Sequence, residues 1–227
     1  MGFKLDQVVP WGRNLDEYRQ MFALTDQDLD QKILGCADGP ASVNAELYRQ
    51  GKKYVSLDPV YQFSAQQINA RIEATAPVIA EQLELNRADY LWNYYQSPDQ
   101  LVQTRRSAMN EFLDDFEQHH TTERYVTAAL PDLPFDDHAF DLVLCSHCLF
   151  SYSAQLDEAF HGQAVLEMAR VGREVRIFPL LEIDGKRSRH LAGVLSFLKQ
   201  KGLVYEIASV NYEFQKGGNQ LLILKTP

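Results

Sequence analysis

The chain has 227 residues, enough for one α/β domain with a full core, and 45% of them are hydrophobic. Lys and Arg number 22 against 31 Asp and Glu, a formal charge of −9 with no basic run, which disfavours nucleic acid as a substrate. No apolar run is long enough to span a bilayer, and Met1-Gly2-Phe3-Lys4-Leu5-Asp6 lacks the apolar stretch of a signal peptide, so a cytoplasmic protein with no membrane partner is expected.

Residues 1–31 read as an N-terminal lid or cap segment. After an irregular piece comes a helix with Asn14 as N-cap, Glu17 placed for a capping box, and Leu15, Tyr18, Met21 and Phe22 on one stripe. That stripe equally suits a terminal helix packed on a sheet. Trp11 and Arg13 flank Gly12, and an aromatic and a cation on a glycine-hinged loop suit an anionic ligand group.

Ile33-Leu34-Gly35-Cys36-Ala37-Asp38-Gly39-Pro40-Ala41-Ser42 then runs from apolar into small and turn-forming residues, and a helix follows from Val43 to Tyr48. A strand, a tight loop and a helix N-terminus form a corner where free N–H groups and small side chains admit a ligand to the main chain. Lys53 to Leu57 is a second strand, and Asp58 after it lies 19 positions beyond Gly39. An acid at about that spacing meets a ribose hydroxyl, although opening a turn with Pro59 accounts for Asp58 equally well.

Gln62 to Leu85 reads as a helix broken or capped around Pro77. Residues 86–122 show no strand and form a helical insertion; Ser97-Pro98-Asp99 starts a run carrying Leu101, Arg105, Met109, Phe112, Leu113 and Phe116. Tyr90, Trp92, Tyr94 and Tyr95 suit a pocket wall or a packed face, and His119-His120 a solvated helix end. Glu123 to Ala128 gives a short strand, and the continuous apolar run Phe140 to Ser146 a central parallel strand. A helix from Gln155 to Ala169, a strand from Glu174 to Phe178, and a helix from Arg187 to Lys201 closed by Gly202 follow. Leu203 to Ile207 and Gln220 to Lys225 form a terminal hairpin edge.

The alternation predicts an α/β fold in a single domain, 1–227: a doubly wound, mostly parallel seven-stranded sheet with an antiparallel last strand, helices on both faces, and a helical insertion after the second strand. Cys145-Ser146-His147-Cys148 contains a C-x-x-C, but Cys36 is the one other cysteine, so neither a zinc set nor a disulfide framework is expected and no metal is assigned.

The order of these landmarks resembles the class I S-adenosylmethionine-dependent methyltransferases. Ile33 to Ala41 takes the place of that family's acidic-x-Gly-x-Gly-x-Gly loop, Asp58 that of its ribose-binding acid, Leu133 to Leu144 that of the stretch from the adenine side into the fourth strand, and Glu167-Met168-Ala169-Arg170-Val171 that of the helix end before strand five. Gly39-Pro40-Ala41-Ser42, Asp58-Pro59-Val60-Tyr61 and Trp11-Gly12-Arg13 further resemble a less characterised bacterial branch. Three departures stand out: Gly35 where the loop's acid is usual, Ala37 and Ala41 where glycines are usual, and Asp38 inside the loop.

The resemblance implies S-adenosylmethionine as cofactor, bound by Arg13, Tyr18, Gly35, Ala37, Gly39, Asp58, Pro59, Asp132, Leu133 and Ser146, and a small-molecule acceptor, with a homodimer left open. Asp38 stands as a substitute for the missing acid, and Asp132 or backbone for the adenine contact. His147 is the candidate base, with His161 as second choice; Tyr61 and Tyr152 lie near strand ends, and Arg176, Arg187 and Arg189 either face an acidic substrate or cap the sheet. Two other classes fit the same landmarks: a non-catalytic nucleotide-binding or scaffold protein, suggested by the degenerate loop, and a nicotinamide-dependent enzyme.

Overall fold

Asn14 starts α1 (Leu15–Met21) through a reciprocal capping box, its side chain accepting the Glu17 N–H at 2.9 Å while Glu17 accepts the Asn14 N–H. The computed structural model describes residues 9–226, and the reading of Met1 to Asp6 lies outside them. Leu15, Tyr18, Met21 and Phe22 are all buried, so α1 is a packed layer of the domain.

The short α2 (Asp26–Leu29) delivers the chain to β1 (Lys32–Cys36), which pairs in parallel with β2 (Lys53–Leu57) and β4 (Phe140–Ser146). With β3 (Tyr125–Val126), β5 (Gly172–Phe178), β6 (Val204–Ser209) and β7 (Gln220–Lys225), the sheet is seven-stranded in the order β3-β2-β1-β4-β5-β7-β6. β7 alone runs antiparallel to its neighbours, as the terminal hairpin requires.

Alternation along β1 and β4 feeds two cores. Leu34, Cys36, Val143 and Cys145 meet α6 (Glu158–Val171) and α7 (Leu191–Gln200), while Ile33, Leu142 and Leu144 meet α1 and α3 (Val43–Arg49). Both faces are covered, hence the continuous apolarity of β4. The 86–122 stretch contributes α5 (Pro98–His119), which packs on α4 (Ala65–Leu85) around Ile68, Ile72, Met109, Phe112 and Phe116.

Pro77 does not break α4, which runs through it. The proline sits on the exposed face, where the carbonyl it leaves unpaired is on the solvent side, while Ile68, Ile72, Ala76, Ile79 and Leu83 keep the buried stripe intact. The helices expected from Gln155 and Arg187 begin later, at Glu158 behind an Asp157 N-cap and at Leu191. Gly202 closes α7 with φ +75°. Glu167 and Arg170 of α6 clamp the loop before β4: Glu167 accepts the Leu133 N–H at 2.9 Å, and Arg170 donates to the carbonyls of Phe135 at 2.8 Å and Leu133 at 3.1 Å.

Candidate active site

The C-terminal ends of β1, β2 and β4 open into one cavity of about 420 Å³, the position where open parallel sheets bind ligands. Its walls bring together Arg13, Tyr18, Ala37, Asp38, Gly39, Asp58, Pro59, Ser146 and His147. Gly12 lets the N-terminal segment lie against the loop after β1, since a Cβ there would stand 1.9 Å from the Pro40 carbonyl oxygen. The Ser42 N–H donates to the Arg13 carbonyl at 3.0 Å and holds the two together.

The loop after β1 is built around a buried acid. Asp38 accepts hydrogen bonds from the hydroxyls of Tyr18 at 2.6 Å, Ser56 at 2.6 Å and Tyr54 at 3.2 Å. Burial raises its pKa even though all three hydroxyls favour the charged form. A Cβ at Gly35 would stand 2.3 Å from the Tyr54 hydroxyl and 2.6 Å from the Asp38 carboxyl, so Gly35 makes room for Asp38 rather than lining the cavity. Ala37 adopts φ +52°, a left-handed conformation that glycine takes without strain. Gly39, at φ +57°, presents its N–H to Asp58 at 3.0 Å, and its carbonyl accepts from the Tyr61 hydroxyl at 2.7 Å.

Asp58 opens the turn with Pro59, one of the two readings open to it in the sequence, and it also faces the cavity. One oxygen accepts the Val60 N–H at 2.8 Å and caps the 3-10 turn Pro59–Gln62; the other takes the Gly39 N–H, and the carboxylate lines the cavity. Burial pushes its pKa up to about 6 against the pull of those two amides. Each carboxylate oxygen carries two lone pairs, so acceptor capacity remains for a ligand hydroxyl.

His147 follows β4 in a left-handed conformation, φ +53°, its ring Nδ1 2.9 Å from the Ser146 hydroxyl. Backbone strain of this kind at a ligand-facing turn is a mark of functional sites. Burial first, then the guanidiniums of Arg13 and Arg105, push its pKa well below the ordinary imidazole value. The ring is therefore neutral at pH 7.

Two buried groups that the sequence marks only as helix residues, Glu17 and Arg105, complete the site. Arg105 projects from α5 with its side chain 3% exposed and pairs with the fully buried Glu17 of α1. Glu17 also accepts from the hydroxyls of Tyr95 and, at 3.4 Å, Tyr212. Arg105 lies on the buried stripe Leu101, Arg105, Met109, Phe112, and a cation in such a row is the signal that could have found it. Past Arg105 the cavity becomes apolar, with Ile79 and Leu83 of α4, Leu101 of α5, Ile183, and the Tyr90 and Phe214 rings stacked at 4.7 Å. The Leu91 N–H donates to the Phe214 carbonyl at 2.7 Å and the Lys216 N–H to that of Asp89 at 3.1 Å, stitching the insertion to the β6–β7 connection.

Other candidates lie elsewhere. Asp132, Leu133 and Tyr61 do not line the cavity; Leu133 is buried in the α6 core and Tyr61 in the aromatic cluster of Phe112, Phe116 and Tyr125. His161 has both ring nitrogens engaged, with the Asp157 carbonyl at 2.7 Å and the Phe150 N–H at 3.0 Å, and is no base for this cavity. Arg176 pairs with Asp28 and Glu174 and Arg189 with Glu182, so both hold structure together. Tyr90 and Tyr152 line the cavity, whereas Trp92, Tyr94 and Tyr95 pack behind it. Among the described residues no cluster of three metal-ligating side chains occurs, and no helix is long and apolar enough to cross a membrane.

Comparison with known proteins gives three findings. A family described as "Methyltransferase domain" matches residues 103–174. An uncharacterized protein of the archaeon Methanocaldococcus jannaschii is 31% identical over 222 residues, covering 97% of both chains, where the motif resemblance pointed to a bacterial branch. Among solved structures, a SAM dependent methyltransferase from Aquifex aeolicus aligns over 92% of this chain and 90% of its own at 12% identity and a TM-score of 0.43. The 1,6-didemethyltoxoflavin-N1-methyltransferase of Burkholderia thailandensis aligns over 91% and 75% at 14% identity and a TM-score of 0.44.

Proposed function

We propose that the chain is a class I S-adenosylmethionine-dependent methyltransferase, in keeping with the methyltransferase-family match over residues 103–174, and that it methylates a small-molecule acceptor held in the apolar end of the cavity. The match of residues 103–174 to a methyltransferase family favours methyl transfer over the nicotinamide reading, and detection of methyl transfer to an acceptor would exclude a non-catalytic protein on the same fold. The observation that carries the proposal is the gathering of Asp58, the Ala37–Gly39 loop, Ser146-His147 and Arg13 around one cavity that continues into an apolar chamber.

The residues present fit the cofactor. Asp58 keeps lone pairs for the two ribose hydroxyls, which a neutral side chain would accept less well. Arg13 donates to the Trp11 carbonyl at 3.2 Å, and its buried Nε has no partner, which suits a carboxylate. Asp38 places its carboxyl beside Tyr18 at the cavity wall, where it can meet the amino group of the methionine moiety and stand in for the acid missing at position 35. Pro59, Val60 and Cys148 offer apolar surface for the base.

When bound, S-adenosylmethionine supplies an electrophilic methyl group on a sulfonium. The protein's part is to place the acceptor in line and to ease the loss of its proton. His147, neutral and facing the cavity, accepts a hydrogen bond from the acceptor's O–H or N–H. Burial first, and then Arg13 and Arg105, disfavour an imidazolium here, so His147 serves to orient the acceptor while the two guanidiniums favour its deprotonated form. A dry chamber strengthens both effects.

Thermal unfolding with and without S-adenosylhomocysteine tests the site. At 100 times its Kd the ligand should add about 2.7 kcal/mol, a shift of roughly 5–11 °C for a domain of this size at about 2–4 °C per kcal/mol. Loss of the shift in Asp58→Ala supports the assignment, and an undiminished shift overturns it.

A further inference from the structure

Resting on that reading, we propose that the methyl acceptor is an apolar-bodied carboxylic acid whose carboxylate docks at Arg105, beside Arg13, and whose body lies against Leu101, Ile79, Leu83 and the stacked Tyr90–Phe214 pair. Stability alone gives no reason for Arg105. It stands one helical turn from Leu101 and one from Met109, in a row that an apolar side chain would fill. A buried ion pair such as Arg105–Glu17 is commonly replaced by apolar residues at no loss of stability, so pairing with Glu17 does not explain why the pair is there.

The balance of donors and acceptors points to a ligand. Two guanidiniums, Arg13 and Arg105, line the cavity, and Glu17, the carboxylate paired with Arg105, is shared among Arg105, the Asn14 N–H and the hydroxyls of Tyr95 and Tyr212. Both arginines keep an Nε that is shielded from solvent and unpartnered. A buried donor left unpaired costs about 1–3 kcal/mol; with Arg13 given to the cofactor carboxylate, the Nε of Arg105 is the donor that an acceptor anion satisfies. Asp38 and Asp58 face the cavity too, but their hydrogen bonds run to three hydroxyls and two amides and not to either arginine.

The chamber beyond sets the rest of the acceptor. Ile79 and Leu83 are one turn apart on α4, Leu101 and Arg105 one turn apart on α5, and the Tyr90–Phe214 stack closes the side stitched to the β6–β7 connection. A flat or extended apolar body fits between them, with its anionic end at Arg105. A monovalent carboxylate suits the site better than a phosphate dianion, because a second negative charge would lie uncompensated in an apolar chamber.

The experiment measures thermal midpoints of the full chain, with and without saturating S-adenosylhomocysteine, against phenylacetate, indole-3-acetate, their amides and phenyl phosphate. The carboxylates should raise the midpoint and bind about tenfold or more tightly than the matched amides. In the charge-neutral double variant Glu17→Gln/Arg105→Gln the carboxylate response should vanish while the S-adenosylhomocysteine shift remains. If that variant fails to fold, the acid-against-amide comparison on the unaltered protein decides alone. Equal binding of acids and amides, no response to either acid, or a stronger response to phenyl phosphate overturns the proposal. Loss of the S-adenosylhomocysteine shift in the folded double variant also overturns it, by giving Arg105 to the cofactor. A carboxylate response in a protein that never responds to S-adenosylhomocysteine would sink the cofactor reading and leave the anion chamber standing.

Discussion

Gly35 and Asp38 exclude one another's side chains: a Cβ at position 35 would stand 2.6 Å from the Asp38 carboxyl. The acid usual at the end of the first strand has no room here because Asp38 folds back over that strand into the hydroxyls of Tyr18, Tyr54 and Ser56. Restoring it by Gly35→Asp should destabilise the protein by about 3 kcal/mol or more, since it adds both overpacking and a second buried charge. Ala37→Gly, at φ +52°, should by contrast be neutral or stabilising by up to about 1 kcal/mol, because the left-handed strain it relieves offsets the chain entropy it adds. Urea unfolding of the two variants checks both signs, and a stable Gly35→Asp protein would show that Asp38 is free to move.

Asp58 gives a pH dependence. Its pKa is raised from 3.8 to about 6 in the folded protein, so its contribution to stability is fully present below 3.8 and is lost as pH rises through about 6. Ribose hydroxyls need the charged carboxylate, so S-adenosylhomocysteine affinity should move the other way, weakening as pH falls through about 6. Calorimetric titrations between pH 5 and 8 should show this trend in the native protein and a flattened profile in Asp58→Asn. A native profile flat across that range would remove Asp58 from the ribose site.

The sheet was legible from the sequence because β1 and β4 carry the apolar run that two-sided burial demands, and the Asn14–Glu17 capping box and Gly202 marked the start of α1 and the end of α7. Pro77 misled because a proline on an exposed helix face costs one hydrogen bond that water replaces, and no local pattern reveals which face is exposed. On the site side, Asp58, Ala37, Gly39 and His147 follow strand ends, where topology alone places them at the cavity. Arg105 and Glu17 are 88 positions apart and meet through tertiary packing. Asp132 and Leu133 were assigned to the adenine side by family position, but Glu167 and Arg170 draw their loop onto α6.

Arg13 separates the amino-acid half of the cofactor from its nucleoside half. Arg13→Gln should weaken S-adenosylhomocysteine, which carries the methionine-derived carboxylate, by about tenfold to a hundredfold, the 1.5–3 kcal/mol typical of a hydrogen bond to a charged group. Binding of 5′-methylthioadenosine, which lacks that carboxylate, should be unchanged. Equal loss for both ligands would mean that Arg13 shapes the cavity without touching the carboxylate.

The Arg105–Glu17 pair is a test of what a buried ion pair contributes. Removing one partner strands the other charge: Arg105→Met or Glu17→Leu alone should cost about 3–5 kcal/mol, whereas the double variant Glu17→Leu/Arg105→Met should recover most of that loss. Recovery will be incomplete, because Tyr95 and Tyr212 both donate to Glu17 and would be left with buried, unpaired hydroxyls. Adding Tyr95→Phe to the double variant should then restore a further 1 kcal/mol or so. Urea unfolding across the cycle distinguishes this from an architectural pair: if the double variant remained as unstable as the worse single one, the two charges would be holding α1 to α5 for stability, and the case for a ligand at Arg105 would lose its energetic ground.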